Sequence, residues 1–344
     1  MSETTPNPVL TERYRNNTLE SFHRGAVCIL NTDNEIIFST GNPNQVVFPR
    51  SALKFIQQIP LIEEKVHQSL GLSEEEAAIT CGSHNGEEFH CEKVRSILGK
   101  AGLNEELLQC GAQPPTLKED RNELYRTGKK PLPVHNNCSG KHAGFLALSS
   151  HLGHSVENYI DKEHPVQQRI RSVVADMHEF PENKMDTGLD GCSAPIFSMP
   201  LFNMTLGFKN LLFPESNQNP ARKAACEYLS KIIPANPYLI AGKNRYCTDL
   251  MQAAKGRIIA KTGADGIFIL ACPEQKWVAG VKIDDGTMGP QYAVAQEIVN
   301  KTGILSKDAM NALDDYRKKD IKTWSGKISG QNLVRSSALE NIQF

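Results

Sequence analysis

The sequence predicts an α+β fold, in which strands from both ends of the chain form one antiparallel sheet and the middle of the chain is largely helical. Two runs rich in β-forming residues lie at 25–31 and 35–40, and three more lie between 257 and 283. Helical patterns dominate the interval from 141 to 255. Strands at both ends with helices between them are typical of a single sheet that carries helices on its faces.

The first elements follow from local patterns. Thr32-Asp33-Asn34 joins the two early strands as a hairpin. After Pro49, apolar residues at helical spacing predict a helix that begins near Ser51. Residues 73–76, Ser-Glu-Glu-Glu, have the pattern of a capping box and predict a second helix that ends near 81–82. A turn at 83–86 should precede a third helix over 87–101.

The rest of the chain is predicted as helices followed by strands. Helical patterns occur at 141–152, 165–179, 197–212, 221–232 and 247–255. Strands are predicted at 257–262, 266–272 and 277–283, and final helices near 288–301 and 306–318. Because no segment has the composition of a linker, residues 1–344 are predicted to form a single catalytic unit, in which 1–20 is a polar N-terminal segment.

Charge and composition exclude several classes of partner. The 344 residues carry 38 basic and 39 acidic side chains, so neither nucleic acid nor an anionic membrane is an expected partner. No stretch approaches 18 consecutive apolar residues, and residues 1–17 lack the apolar region of a secretory signal. Nine widely spaced cysteines, without an export signal, favour reduced thiols and a cytoplasmic location. Some of these cysteines could be metal ligands.

Three short motifs indicate acyl transfer by a serine. They are Ser51-Ala52-Leu53-Lys54, Ser83-His84-Asn85 and Lys261-Thr262-Gly263, which match S-x-x-K, S-x-N and K-T-G in that order. A serine hydroxyl needs a base to remove its proton, and a lysine is a base only when its amine is neutral, which burial or a nearby cation favours. We therefore expect two Ser–Lys pairs, Ser51 with Lys54 and Ser83 with Lys261.

A second cluster of residues indicates a metal. Cys138 lies at a predicted helix start, where the helix dipole favours a thiolate, and thiolates bind zinc. Spacing alone suggests Cys138, Cys192 and either His135 or His142 as ligands. The alternative is a buried cysteine beside a capped helix start, with no metal.

Four segments resemble class 3 L-asparaginases, the asparaginase II family of rhizobial inducible type. They are CGSHNGE at 81–87 with a histidine at 90, HNNCSGKHAG at 135–144, LDGCSAP at 189–195 and KTGADG at 261–266. The resemblance runs from about 24 to 299. It implies a fold similar to serine β-lactamases and glutaminases, a homodimer, and hydrolysis of L-asparagine to L-aspartate and ammonia.

The resemblance also implies roles for individual residues. Ser51 and Lys54 match the first Ser–Lys pair of the family, and Ser83 and Lys261 match the second. The implied zinc ligands are Cys138, Lys141 and Cys192, so the resemblance replaces the histidine suggested by spacing with a lysine. The remaining candidates for substrate binding or support of the site are Asp190, Arg50, Cys247 and His135.

Other functions remain open from the sequence. A glutaminase or a β-lactam-interacting enzyme would carry the same three motifs, although the latter normally needs an export signal. A zinc-hydroxide amidohydrolase would depend on the cysteines, and a non-catalytic zinc protein would not need Ser51. Two residues depart from the family pattern, since Ser193 stands where glycine is more frequent and Asn85 stands where serine is frequent.

Overall fold

The computed structural model describes residues 5–344, which divide into two compact units. The first unit comprises the described residues up to Ala52, together with Met199–Lys209 and Asp249–Phe344. The second comprises Leu53–Ser198 and Asn210–Thr248. Among residues 5–344, no helix combines the length and apolar character that crossing a bilayer requires.

Strands from both ends of the chain build the main sheet, as the sequence predicted. The strands are β1 (Val9–Arg15), β2 (Thr18–Asn31), β3 (Ile36–Thr40), β4 (Val46–Val47), β5 (Thr187–Leu189), β6 (Pro195–Phe197), β7 (Met199–Pro200), β8 (Ile259–Thr262), β9 (Ile267–Cys272), β10 (Trp277–Ile283), β11 (Lys319–Lys322) and β12 (Ile328–Val334). Eight of them form one antiparallel sheet in the order β11-β12-β1-β2-β10-β9-β8, and β3 also pairs with β2. The predicted α+β architecture is therefore confirmed.

The sheet is wider than the sequence predicted. Strand β1 lies in the N-terminal segment that was predicted only to be polar, of which residues 1–4 are outside the described part of the chain. Strands β11 and β12 were not predicted either. In all three, mostly polar side chains are only partly buried, so the hydrophobic alternation that identifies a strand is weak.

Helices fill most of the remaining chain. They are α1 (Lys54–Gln57), α2 (Ile59–Glu63), α3 (Val66–Ser69), α4 (Glu74–Thr80), α5 (Glu88–Lys100), α6 (Lys118–Arg126), α7 (Ser139–His151), α8 (Pro165–Met177), α9 (Leu201–Leu212), α10 (Pro220–Ala235), α11 (Pro237–Ile240), α12 (Tyr246–Ala253), α13 (Pro290–Thr302) and α14 (Lys307–Arg317). Only α6 among the longer helices was not predicted. Its residues have no buried face, so hydrophobic spacing gives no signal there.

Helix α4 starts as the capping box predicted. The Ser73 hydroxyl accepts a hydrogen bond from the backbone N–H of Glu76, and the Glu76 carboxylate accepts one from the N–H of Ser73. Helix α7 packs closely on α4, since a Cβ on Gly140 would lie 2.3 Å from the carbonyl oxygen of Ile79. This tight packing fixes the start of α7, where Cys138 lies, against the loop that follows α4.

Two predicted boundaries are wrong. The helix expected from Ser51 is instead a 3-10 turn, Arg50–Leu53, followed by the short helices α1 and α2. The helix expected to begin at 197 is preceded by the strands β6 and β7 and begins at Leu201. In the first case Pro60 lies in the first turn of α2, where its missing N–H is tolerated, whereas it could not continue the hydrogen bonding of α1.

Candidate active site

Ser51 is a half-buried residue of the 3-10 turn in the first unit. The preceding Arg50 has a positive φ of 52° and forms an ion pair with Asp265. A Cβ on Gly263 would lie 2.6 Å from the carbonyl oxygen of Pro49, so a glycine is needed where the K-T-G segment meets the turn. Within the first unit, the K-T-G glycine therefore lies beside the chain that leads into Ser51.

Lys261 and Thr262 are the last residues of β8. Lys261 is fully buried, and its amine donates a hydrogen bond to the carbonyl of Thr262 at 3.2 Å. The Thr262 hydroxyl lies 3.0 Å from the hydroxyl of Tyr292 on α13, and the ring of Tyr292 packs edge-on against Phe268 of β9. Helix α13 thus holds the end of the K-T-G strand, which the motif itself does not reveal.

Lys54 is fully buried in the second unit and is surrounded by three oxygen atoms. Its Nζ lies 2.6 Å from the carbonyl of Gly82, 3.1 Å from the carbonyl of Asn137 and 3.0 Å from the hydroxyl of Ser83. Lysines are rarely buried, because removing an ammonium from water is costly. The burial of this amine therefore indicates a role other than solubility.

The three contacts define what the Lys54 amine can do. Carbonyl oxygens only accept hydrogen bonds, so the amine must donate to Gly82 and Asn137. A charged ammonium would donate its third proton to Ser83. A neutral amine has two protons for the carbonyls, and its lone pair is then left to accept the proton of the Ser83 hydroxyl. The geometry suits reversible proton exchange between Lys54 and this serine.

Ser83 is held by its backbone in the loop between α4 and α5. Its N–H donates to the carbonyl of Ile240 at 2.8 Å, and the residue is 3% exposed. A Cβ on Gly82 would lie 2.4 Å from the carbonyl of Leu239. The close fit between this loop and α11 leaves the Ser83 hydroxyl directed at Lys54.

Asn85, the third residue of S-x-N, binds a neighbouring segment. Its amide nitrogen donates to the carbonyl of Lys243 at 2.9 Å and to the carboxylate of Glu87 at 3.2 Å. Its amide oxygen accepts from Arg245 at 3.0 Å. Asn85 therefore attaches the 243–245 segment to the loop that carries Ser83.

The second unit also brings four predicted side chains together. Ligand atoms of Cys138, Asp190 and Cys192 all lie within 4.8 Å of one another. The Lys141 amine donates to the Cys192 sulfur at 3.1 Å and lies 4.0 Å from the Asp190 carboxylate. Cys138 precedes α7 and Lys141 lies in its first turn, whereas Asp190 and Cys192 come from the β5–β6 hairpin.

The hairpin turn explains one departure from the family pattern. Ser193 has a positive φ of 68°, the left-handed conformation that glycine adopts most readily. Its N–H donates to the carbonyl of Asp190, and the N–H of Asp190 donates to the carbonyl of Ala194. A serine can adopt this turn at a modest cost in strain. The turn keeps its hydrogen bonds, and Cys192 stays in position beside Asp190.

The charges of the cluster depend on one another. A hydrogen bond between the two thiols raises the pKa of Cys138 and lowers that of Cys192, since one thiol keeps its proton and stabilises the other as a thiolate. Burial lowers the pKa of Lys141, but the nearby Cys192, Cys138 and Asp190 outweigh it and raise this pKa above its ordinary value. The cluster therefore places a buried lysine amine beside two interacting cysteines and a carboxylate.

The donor set fits a zinc ion. Cysteine sulfurs and carboxylate oxygens are ligands that zinc commonly takes, with a Zn–S distance of about 2.3 Å. Two nitrogen-bearing side chains accompany them: the Lys141 amine lies 3.1 Å from the Cys192 sulfur, and His142 also interacts with Cys192. A lysine must lose its proton to bind a metal, and zinc can displace it.

Three other candidates belong to the second unit. His142 is fully buried and its Nδ1 lies 2.7 Å from the hydroxyl of Tyr159, while burial lowers its pKa against the opposing effect of Cys192. His135 accepts a hydrogen bond from the N–H of Leu132 through Nδ1, and burial lowers its pKa too. Cys247 is buried at the start of α12.

The chain matches a protein-family model over most of its length. The family model described as L-asparaginase II matches residues 11–333. No curated protein sequence matches the chain. The family match extends beyond the interval of about 24–299 over which the resemblance was recognised, and it includes most of β1 and β12, which the sequence patterns missed.

Several solved structures are similar in fold. They include a class C beta lactamase from Rhodobacter sphaeroides (14% identity, TM-score 0.41), a beta-lactamase from Mycobacterium bovis (10%, 0.40) and a Bacillus glutaminase (12%, 0.39). The alignments cover 80%, 82% and 82% of this chain and 95%, 95% and 91% of the three structures, respectively.

Proposed function

The chain belongs to the L-asparaginase II family, and from this premise we propose that it is an amidohydrolase that converts L-asparagine to L-aspartate and ammonia. The observation that carries the proposal is the buried Lys54 amine, 3.0 Å from the Ser83 hydroxyl and bonded to two carbonyls. A serine and a lysine in this relation can exchange a proton without a histidine. Amide hydrolysis through an acyl-serine requires such an exchange.

We assign the steps as follows. The Ser51 oxygen attacks the carbonyl carbon of the side-chain amide, and Lys54 takes the hydroxyl proton. The C–N bond then breaks, and Ser83, which is hydrogen-bonded to Lys54, relays this proton together with Lys261 to the departing ammonia. Water next attacks the acyl-serine ester while Lys54 takes its proton; the ester C–O bond breaks, L-aspartate forms, and Lys54 returns the proton to the Ser51 oxygen. Backbone N–H groups near Ser51 are the natural donors to the oxyanion.

Zinc is proposed as a component of the second unit. Cys138, Lys141 and Cys192 would hold it, with Asp190 beside them. When bound, the ion supplies a fixed positive charge that can orient an anionic substrate group. Lys141 and the two cysteines are already buried next to one another, so little rearrangement of this chain is needed to form the site.

Metal analysis should find about one zinc per chain. Replacing Cys192 with serine should remove most of that zinc, because a hydroxyl is a much weaker zinc ligand than a thiolate. The measurement is elemental analysis of protein purified without chelator. Cys226→Ser is the matched control, since Cys226 is a buried core thiol in α10 and this variant should keep its zinc. Equal zinc contents in the two variants would contradict the proposed ligand set.

The function is tested by ammonia release. We expect L-asparagine to release ammonia with turnover well above that of L-glutamine and β-aspartyl dipeptides. A nitrocefin assay in parallel tests for β-lactam hydrolysis. Faster turnover of glutamine or nitrocefin would replace the asparaginase assignment with one of the alternatives. If none of the amides releases ammonia, the proposed amidohydrolase activity is wrong.

A further inference from the structure

We propose that His84 is a positioning residue that joins the loop of Ser83 to the start of α7 and so sets the geometry of the Lys54–Ser83 pair. This inference rests on the proposed function, in which that pair exchanges protons. The sequence presented His84 only as the unspecified middle residue of S-x-N. In the structure it is fully buried and bonded on both sides of its ring.

The hydrogen bonds fix which nitrogen of His84 carries the proton. The N–H of Gly86 donates to Nδ1 at 3.1 Å, so Nδ1 has no proton and Nε2 carries it. Nε2 then donates to the hydroxyl of Ser139 at 3.0 Å, and that hydroxyl donates to the carbonyl of Val134 at 2.8 Å. These hydrogen bonds form a continuous series from the loop that carries Ser83, through His84, to Ser139, the first residue of α7.

Stacking holds the His84 ring in this orientation. Its centroid lies 5.0 Å from that of His90, with the rings 9° from parallel. His90 in turn stacks on Tyr238 at 5.4 Å and 10°. The ring of His84 therefore packs against His90, which Tyr238 supports in turn, and this stacking restrains the direction of its bond to Ser139.

The link matters because Lys54 contacts both of the segments that it joins. Ser83 and Gly82 come from the loop beside His84, whereas Asn137 lies two residues before Ser139. The distance between these two segments decides whether the Lys54 amine can reach all three oxygens at once. The bond from His84 to Ser139 is a direct side-chain tie between them.

Two amide substitutions test the two hydrogen bonds of the His84 ring separately. In His84→Asn the amide oxygen can take the place of Nδ1 and keep the Gly86 bond, but the side chain is too short to reach Ser139. In His84→Gln the amide nitrogen can take the place of Nε2 and keep the Ser139 bond. We expect kcat for asparagine to fall about 100-fold in His84→Asn, with KM within about twofold of wild type. His84→Gln should restore most of that loss.

Ser139→Ala removes the same bond from the other side and should lower kcat by a similar factor. Ser139→Ala also loses the bond to the carbonyl of Val134, so the double variant His84→Asn/Ser139→Ala should be no slower than Ser139→Ala alone. Thermal midpoints are measured for every variant. If all of them lower the midpoint and none lowers kcat, His84 has only a structural role and the proposal is wrong. Equal losses of kcat in His84→Asn and His84→Gln would also overturn it.

A parallel assay of Lys54→Met separates this inference from the proposed function. If Lys54→Met is inactive while His84→Asn and Ser139→Ala keep full kcat, only the positioning role fails. If Lys54→Met itself keeps full activity, the Ser–Lys mechanism fails, and the positioning role fails with it. Should His84→Asn not fold, Ser139→Ala, which removes a single oxygen atom, decides the question alone.

Discussion

Replacing Ser51 with alanine should lower kcat for asparagine by at least about 10⁴-fold, since no other hydroxyl in the proposed scheme forms the acyl intermediate. The substitution removes one oxygen atom from a half-buried turn, so the thermal midpoint should stay close to that of wild type. Ammonia release and thermal unfolding measure the two quantities. Mass spectrometry of acid-quenched wild type during turnover should detect an acyl-enzyme that the variant cannot form.

A matched control removes a different hydroxyl. Ser149 is fully buried in α7, and within residues 5–344 its hydroxyl has no hydrogen-bond partner. Ser149→Ala should leave kcat unchanged and preserve or raise stability, because a buried hydroxyl without a partner is unfavourable. If Ser51→Ala keeps near-normal activity while Cys138→Ala does not, the zinc-hydroxide mechanism replaces the acyl-serine.

The sequence predicts the fold best where hydrophobic patterns are strong. The strand predicted at 277–283 matches Trp277–Ile283, nearly all of it buried, and the helix predicted over 87–101 matches Glu88–Lys100. Strands β1 and β12 escaped prediction because many of their side chains remain partly exposed. They are held mainly by backbone pairing with neighbouring strands, which a local pattern does not record.

The candidate site was predictable in its residue types but not in its contacts. Cys138, Lys141 and Cys192 follow from the family motifs, and the structure places them together. The contact of Lys54 with Ser83 joins residues that the sequence assigned to different Ser–Lys pairs. Spacing along the chain cannot reveal it, because the loop after α4 brings the two together from 29 positions apart.

The sequence also failed to predict the hydrogen bonds that hold the motifs in place, for a related reason. The bond from His84 to Ser139 and the contact of Thr262 with Tyr292 each join a motif residue to one outside that motif. Histidine, serine and tyrosine occur in many structural roles, so their types alone signal nothing. Only tertiary structure distinguishes a residue that holds a motif in place from one that merely fills the core.

Replacing Lys54 with methionine should also lower kcat by about 10⁴-fold, because methionine keeps the length of the side chain but has no proton to exchange. Lys54→Arg tests whether the charge alone suffices, since an arginine stays protonated in proteins and cannot act as a base. We expect both variants to be inactive. An active Lys54→Arg would show that the position supplies a positive charge, and the base would then have to be sought elsewhere.

Measuring the thermal midpoint of Lys54→Met distinguishes a loss of catalysis from a loss of folded protein. Lys54→Met leaves the carbonyls of Gly82 and Asn137 without this donor, which costs about 1–3 kcal/mol for each group left unsatisfied, and it also removes a buried amine whose desolvation is unfavourable. The two effects oppose each other, so a moderate fall in the thermal midpoint is expected. Lys209→Met is the control, because Lys209 is a buried lysine of α9 outside the motifs. If Lys209→Met loses as much kcat as Lys54→Met at a similar thermal midpoint, the loss reflects a buried lysine in general and Lys54 is not the base.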